Sequence, residues 1–159
     1  MQAQKKIFMQ KAIELSMIGS KEGVGQGPFG AVIVKDGKIV GQGHNQVVAL
    51  NDPTAHAEVM AIRDACKNLG TFQLNDCEIY TSCEPCPMCL SAIYWARLGK
   101  IYYGNTRDDA AAIGFDDAFL YQEIPLPHTE RQISIEPLSR EEAHEAFVLW
   151  AKKENKTDY

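Results

Sequence analysis

The chain has 159 residues, with 16 Lys and Arg against 21 Asp and Glu, a net charge of −5, and 45% apolar residues. That length suits one domain with a core that needs no disulfide support, and the composition is that of a globular protein. No apolar run reaches the roughly 18 residues of a membrane span, and the acidic balance speaks against nucleic acid, whose binders carry a basic face, leaving a small molecule as the expected partner.

The start, Met1 to Lys6, lacks the apolar block and cleavage site of a signal peptide, so a cytoplasmic setting is expected. Residues 5–18 place Phe8, Ala12 and Leu15 at helical spacing, with Ile7, Ile13 and Ile18 widening the apolar face. Gly23 to Pro28 is glycine-rich, but no Gly-Lys-Ser/Thr follows, and it reads as a plain loop. Phe29–Val34 and Lys38–Gly43 flank Asp36-Gly37, a strong hairpin signal. Residues 55–69 read as a helix, with Asp52 as its cap and Pro53 in its first turn.

Glu78–Thr81 is a short strand, Cys86–Arg97 a helix opened by Pro85, and Lys100–Tyr103 the next strand. This alternation predicts a helix-covered α/β sheet, with residues 132–135 as a further strand. Ser139 and Glu142 have the spacing of a capping box, ahead of a last helix that buries Ala143, Phe147 and Trp150. Lys152 to Tyr159 is a polar tail ending in an aromatic residue.

Two segments carry chemistry: His56-Ala57-Glu58 and, 27 residues after Glu58, Pro85-Cys86-Pro87-Met88-Cys89. Three of the five cysteines crowd into residues 83–89, which in a reducing compartment points to a metal before a disulfide. Zinc takes thiolate and imidazole donors tetrahedrally, and His56, Cys86 and Cys89 make three, leaving a fourth position for water as in catalytic sites. Each set opens a helix, and a helix N-terminus favours thiolate and hydroxide. Glu58, two residues beyond His56, shares no helical face with it. The two serve one site only if that site lies off the helix end, where Glu58 is a proton carrier rather than a ligand. The competing arrangement is a closed structural site in which Cys83 joins Cys86, Cys89 and His56. Cys66 and Cys77 read as buried thiols.

The pattern H-x-E followed by P-C-x-x-C resembles the cytidine deaminase-like superfamily of zinc-dependent base deaminases. Residues 27–34, 51–58 and 80–89, with Gly114-Phe115-Asp116-Asp117, are similar to the bacterial guanine deaminases of that superfamily. The resemblance covers nearly the whole chain. It implies a three-layer α/β/α fold on a mixed five-stranded sheet and hydrolysis of guanine to xanthine and ammonia. It implies one zinc per chain on His56, Cys86 and Cys89, with Glu58 as proton shuttle. Asn45 is implied to hydrogen-bond the base, Phe29 to stack on it, Asp117 to accept from its N–H edge, and Ala57 and Trp95 to line the pocket; Asp116 is the alternative to Asp117. It further implies a homodimer whose segment 152–159 swaps and lays Tyr159 over the partner's site. A tRNA adenosine deaminase, a cytosine or cytidine deaminase, and a non-catalytic zinc-stabilised binding module are the alternatives. A tRNA substrate needs clustered basic residues, which the mixed-charge C-terminal region lacks.

Overall fold

A computed structural model describes residues 2–21 and 25–158. By its internal contacts the chain forms two compact units, Met1–Asp117 and Ala118–Tyr159. The first opens with helix α1 (Gln2–Gly19) and the hairpin β1 (Gly30–Lys35) and β2 (Lys38–His44). Asp36 and Gly37 both have positive φ, 49° and 72°, as a two-residue turn matched to the strand twist requires. A short helix α2 (Val47–Leu50) precedes α3 (Ala57–Leu69); then come β3 (Cys77–Cys83), α4 (Pro87–Trp95), β4 (Lys100–Asn105) and α5 (Arg107–Ala112).

The sheet has four strands in the order β2-β1-β3-β4. β1 runs antiparallel to β2 and β3, and β3 parallel to β4 through α4, so the sheet is mixed. The expected fifth strand is absent among the described residues: 132–135 form bends and loop. Strand alternation supplies two cores. Ala31, Ile33, Cys77 and Ile79 face one side and pack with Ala57, Ala61 and Ala65 of α3 and Ile93 of α4. Val32, Val34 and Tyr80 face the other, against Phe8 and Leu15 of α1. The three layers expected from the sequence are therefore helix, sheet and helix pair, with Ile7 and Ile13 of α1 left exposed.

Close approach fixes α3 on the sheet. Ala57, Ala61 and Ala65, four apart, form a small-residue stripe on one helix face. It lies on Gly41 and Gly43 of β2, where an added Cβ would stand 2.5 Å from the Ala65 nitrogen and 2.5 Å from the Ala57 carbonyl oxygen respectively. The outer edge of β2 is satisfied by the same helix: Asp64 accepts from the Gln42 amide at 2.9 Å, and Asn68 donates to the Val40 carbonyl at 2.9 Å. An edge strand is thereby closed to further pairing.

Three helix-end readings are corrected. The cap of α3 is His56; Asp52 instead accepts from the Thr54 amide and hydroxyl, at 2.8 and 2.7 Å, in the preceding turn that also holds Pro53. α4 is capped by Cys86 with Pro87, not Pro85, in its first turn. Ser139 makes no capping bond, because its left-handed backbone (φ 51°) turns it out of the cap geometry. A capping box lies at α5, where Thr106 and Asp109 bond each other's backbone amides.

The second unit holds α6 (Ala118–Glu123), a 3₁₀ turn (His128–Glu130) and α7 (Arg140–Lys152). Arg131 ties it internally, donating to the carbonyls of Ile124 and Leu126 at 2.9 and 3.0 Å. The expected buried face of α7 is exposed: Phe147 is 73% accessible and Trp150 46%. Among the described residues no helix is long and apolar enough to cross a membrane.

Candidate active site

Topology brings the chemistry to one end of the sheet. β1 begins there after Phe29, β2 ends there before Asn45, and β3 ends there at Cys83, because β1 is antiparallel to both neighbours. The N-termini of α3 and α4 meet at the same end, as ligand sites at strand ends commonly require. His56 and Cys86 are the respective N-cap residues, and neither side chain makes a capping bond. The imidazole and thiol are thus spent on each other: His56 Nδ1 lies 3.6 Å from Cys86 Sγ and 3.5 Å from Cys89 Sγ.

These three residues are the group among the described residues whose ligand atoms converge, all within 4.8 Å. Zinc held tetrahedrally by sulfur at about 2.3 Å and nitrogen at about 2.0 Å spaces such donors about 3.5 Å apart. The donor set and its spacing fit that ion. The electrostatics agree. Cys86 is held down to about 4 by hydrogen bonds from the Cys89 thiol and from His56, against the opposing effect of burial. Cys89, the donor of that bond, is pushed up by it and by burial. His56 is raised by its bond to Cys86. Cys86 and Cys89 both stand at the start of α4, where the helix N-terminus favours the thiolate form that metal ligation requires.

Cys83 stands apart from this group. Its Sγ contacts the Thr106 carbonyl at 3.6 Å, and burial together with the Glu58 charge raises it to about 11. It is a neutral thiol aimed at β4's end, so the closed four-donor arrangement has no support in the geometry.

Glu58 is 6% exposed, in the first turn of α3 beside the cluster. Burial is the main cause of its raised pKa, with the Cys86 charge adding to it and a backbone amide and the Cys89 thiol opposing. His56 at the cap and Glu58 in the first turn both stand at the N-terminal end of α3. The single Thr81 hydroxyl proton is shared between two acceptors, the Cys83 carbonyl at 2.9 Å and Glu58 Oε1 at 3.3 Å. Sequence reasoning passed over Thr81, since a threonine in a strand carries no signal of its own.

The remaining expected residues divide. Asn45 is buried, its Oδ1 accepting from the Val47 amide at 3.3 Å. Phe29 is half-buried and meets Phe115 edge-on with centroids 4.9 Å apart, its strand entry held by Ser82 accepting from the Gly30 amide at 3.0 Å. Ala57 is fully buried against Gly43. Asp117 is half-buried and raised by burial and by the Cys86 charge, while Asp116 is exposed. Trp95 is not brought to the cluster: it is 68% exposed at the far end of α4, about 13 Å along the helix from Cys86. Tyr159 lies outside the described residues.

A sequence model of the cytidine and deoxycytidylate deaminase zinc-binding region matches residues 2–105. The chain is 53% identical to a guanine deaminase of Bacillus subtilis over 96% of its own length and 97% of the relative's. It is 48% identical to a tRNA-specific adenosine deaminase of Aquifex aeolicus, over 81% of this chain and 83% of that one. The X-ray structure of guanine deaminase from Bacillus subtilis superposes with a TM-score of 0.92 at 52% identity, covering 97% and 98% of the two chains. The chain belongs to the zinc-binding cytidine and deoxycytidylate deaminase family.

Proposed function

We propose that this chain hydrolyses free guanine to xanthine and ammonia. The observation that carries the deaminase chemistry is the His56, Cys86 and Cys89 donor set, with the Glu58 carboxyl buried beside it. The choice of guanine is supported by the likeness to the Bacillus subtilis guanine deaminase, which extends over 96% of the chain.

His56, Cys86 and Cys89 would hold one zinc ion per chain. Bound there, zinc supplies a Lewis acid that brings the ionisation of water toward neutral pH. Glu58 does the proton work in two transfers: it carries one proton from the attacking water to the ring nitrogen, then a second from the added hydroxyl to the amine, which leaves as ammonia as the carbon–oxygen double bond forms. Its burial keeps that proton from bulk solvent and its pKa above the usual carboxylate range. Phe29 covers the base with its ring, Ala57 packs beneath it, and the amide nitrogen of Asn45 donates to it. Asp117 accepts from the ring N–H and the 2-amino group, a pairing a carboxylate makes well. Trp95, remote from the cluster of its own chain, has the weakest support of the set.

The chain works as one deaminase in a cytoplasmic homodimer, with 152–159 of each chain closing the partner's site through Tyr159. The apolar side chains exposed on the second unit, Leu138 and Phe147 among them, support an association of chains. The five free cysteines suit a reducing compartment.

Adenosine in tRNA is the second reading, favoured by the 48% identity to the Aquifex aeolicus enzyme and opposed by a net charge of −5. The deciding experiment measures ammonia release by zinc-loaded protein from guanine, guanosine, adenine, cytosine, cytidine and an anticodon stem-loop. Release from guanine alone, abolished in Glu58→Gln, is the expected result. Release from the stem-loop alone would replace guanine with tRNA and retain the zinc site. Tight zinc binding without turnover of any member would leave a binding module.

A further inference from the structure

We infer that Thr81 is a positioning residue for the proton carrier, holding one oxygen of the Glu58 carboxyl so that the other meets the reacting atoms. This rests on the reading of Glu58 given above. Thr81 lies mid-strand in β3, paired with Ala31 of β1 on one side and with Tyr103 of β4 on the other. It is 1% exposed, on the sheet face that α3 covers. A strand flanked on both sides is the most fixed backbone in the sheet, and a β-branched side chain has few rotamers. Its Oγ1 is therefore a stationary point, 3.3 Å from Glu58 Oε1.

The local bonding says which way the hydroxyl is anchored. Oγ1 carries one proton and has two acceptors, the Cys83 carbonyl at 2.9 Å and Glu58 Oε1 at 3.3 Å. The single proton is shared in a three-centre bond, stronger to the nearer Cys83 carbonyl at the end of the strand that leads to Cys86 and weaker to Glu58 in the first turn of α3. Thr81 thus ties the Glu58 carboxyl to the strand that delivers the Cys86 and Cys89 donors, and the two functional helix ends share one reference point. A threonine serving the strand alone would need only the Cys83 bond.

The test compares Thr81→Val and Thr81→Ser in the zinc-loaded full chain, on the base that turns over. Thr81→Ala is prepared beside them, since it removes the hydroxyl without adding a methyl in the event that the valine variant folds poorly. The expected result is a kcat about 10-fold to 100-fold lower in the valine or alanine variant, the loss typical of a misplaced catalytic group. KM and bound zinc per chain should stay at the wild-type level, and Thr81→Ser should restore kcat. A fall in thermal midpoint with kcat unchanged would reduce Thr81 to a strand residue and overturn the inference. So would a serine variant as slow as the valine one. Full activity in Glu58→Gln is a separate outcome, which removes the assigned role of Glu58 itself.

Discussion

The two units of the chain handle the same kind of residue in opposite ways. In Met1–Asp117 large apolar side chains such as Ile33, Ile79 and Leu74 are sealed on a face of the sheet at no exposure. In Ala118–Tyr159 no described residue is buried, and Leu138 is 89% accessible. Both units carry apolar residues at regular spacing, so composition does not separate them. What separates them is a sheet, which gives two faces on which helices can close. The chemical groups follow that difference: His56, Glu58, Cys86 and Cys89 all stand where a packed helix begins.

The sharpest way to break this comparison is at the site itself. Glu58→Gln keeps the volume and hydrogen-bonding shape of the side chain and removes its proton traffic. Loss of kcat by about 10²- to 10⁴-fold with zinc retained is expected. Single-turnover ammonia release on protein of measured zinc content checks it, and a loss of zinc in the same variant would make Glu58 a ligand.

Next comes the contrast in burial. Ile79→Ala opens a cavity between β3 and the two helices above it and should cost about 2–5 kcal/mol of unfolding free energy. Phe147→Asp, on the open face of α7, should leave unfolding of dilute protein within about 0.5 kcal/mol. It should also move sedimentation from two chains to one, if that face meets a partner chain. Denaturant titration across protein concentrations reads both. Equal costs for the two variants would mean that the second unit has a core after all.

These contrasts also show how far the sequence was legible. The hairpin at Asp36-Gly37, α3, α4 and the His56, Cys86 and Cys89 cluster are written locally, as turn chemistry, periodicity and motif spacing. The helix caps are not legible in the sequence because the residues at the caps of α3 and α4 are His56 and Cys86, poor capping residues whose side chains converge on each other. Asp52 and Ser139, which have good capping chemistry, are engaged in a turn or twisted away. The exposure of the α7 face is not legible because periodicity says which residues share a face and not what covers it. Thr81 was invisible because its role depends on strand pairing 23 residues from Glu58. Trp95 was placed by resemblance, and its own helix carries it away from the cluster.

Gly41→Val asks whether the order of the first unit comes from close packing or from the helix alone. The added side chain would meet the backbone of α3 at Ala61 and Ala65. Overpacking of this kind costs about 1–3 kcal/mol. Because the displaced helix carries His56 and Glu58 at its far end, guanine turnover should fall further than stability does. A variant that loses stability and keeps full kcat would show that the site is set by α4 and β3 without α3's seat.

A smaller loss than that of overpacking is expected at α5, at the edge of the first unit, where order depends on a cap instead of a core. Thr106→Ala removes the N-cap hydroxyl and should cost about 1 kcal/mol. Its partner Asp109 adds a pH signature. The Thr106 amide and hydroxyl bond its carboxylate and hold its pKa below the ordinary value of 3.8. A carboxyl whose folded pKa is depressed stabilises the fold above the unfolded pKa and loses that contribution as pH falls through the folded one. The difference in stability between wild type and Asp109→Asn should therefore be constant near neutrality and shrink below about pH 4. Thermal midpoints measured from pH 7 to pH 3 read it, and a difference that stays flat over that range would mean the cap is held by the Thr106 hydroxyl alone.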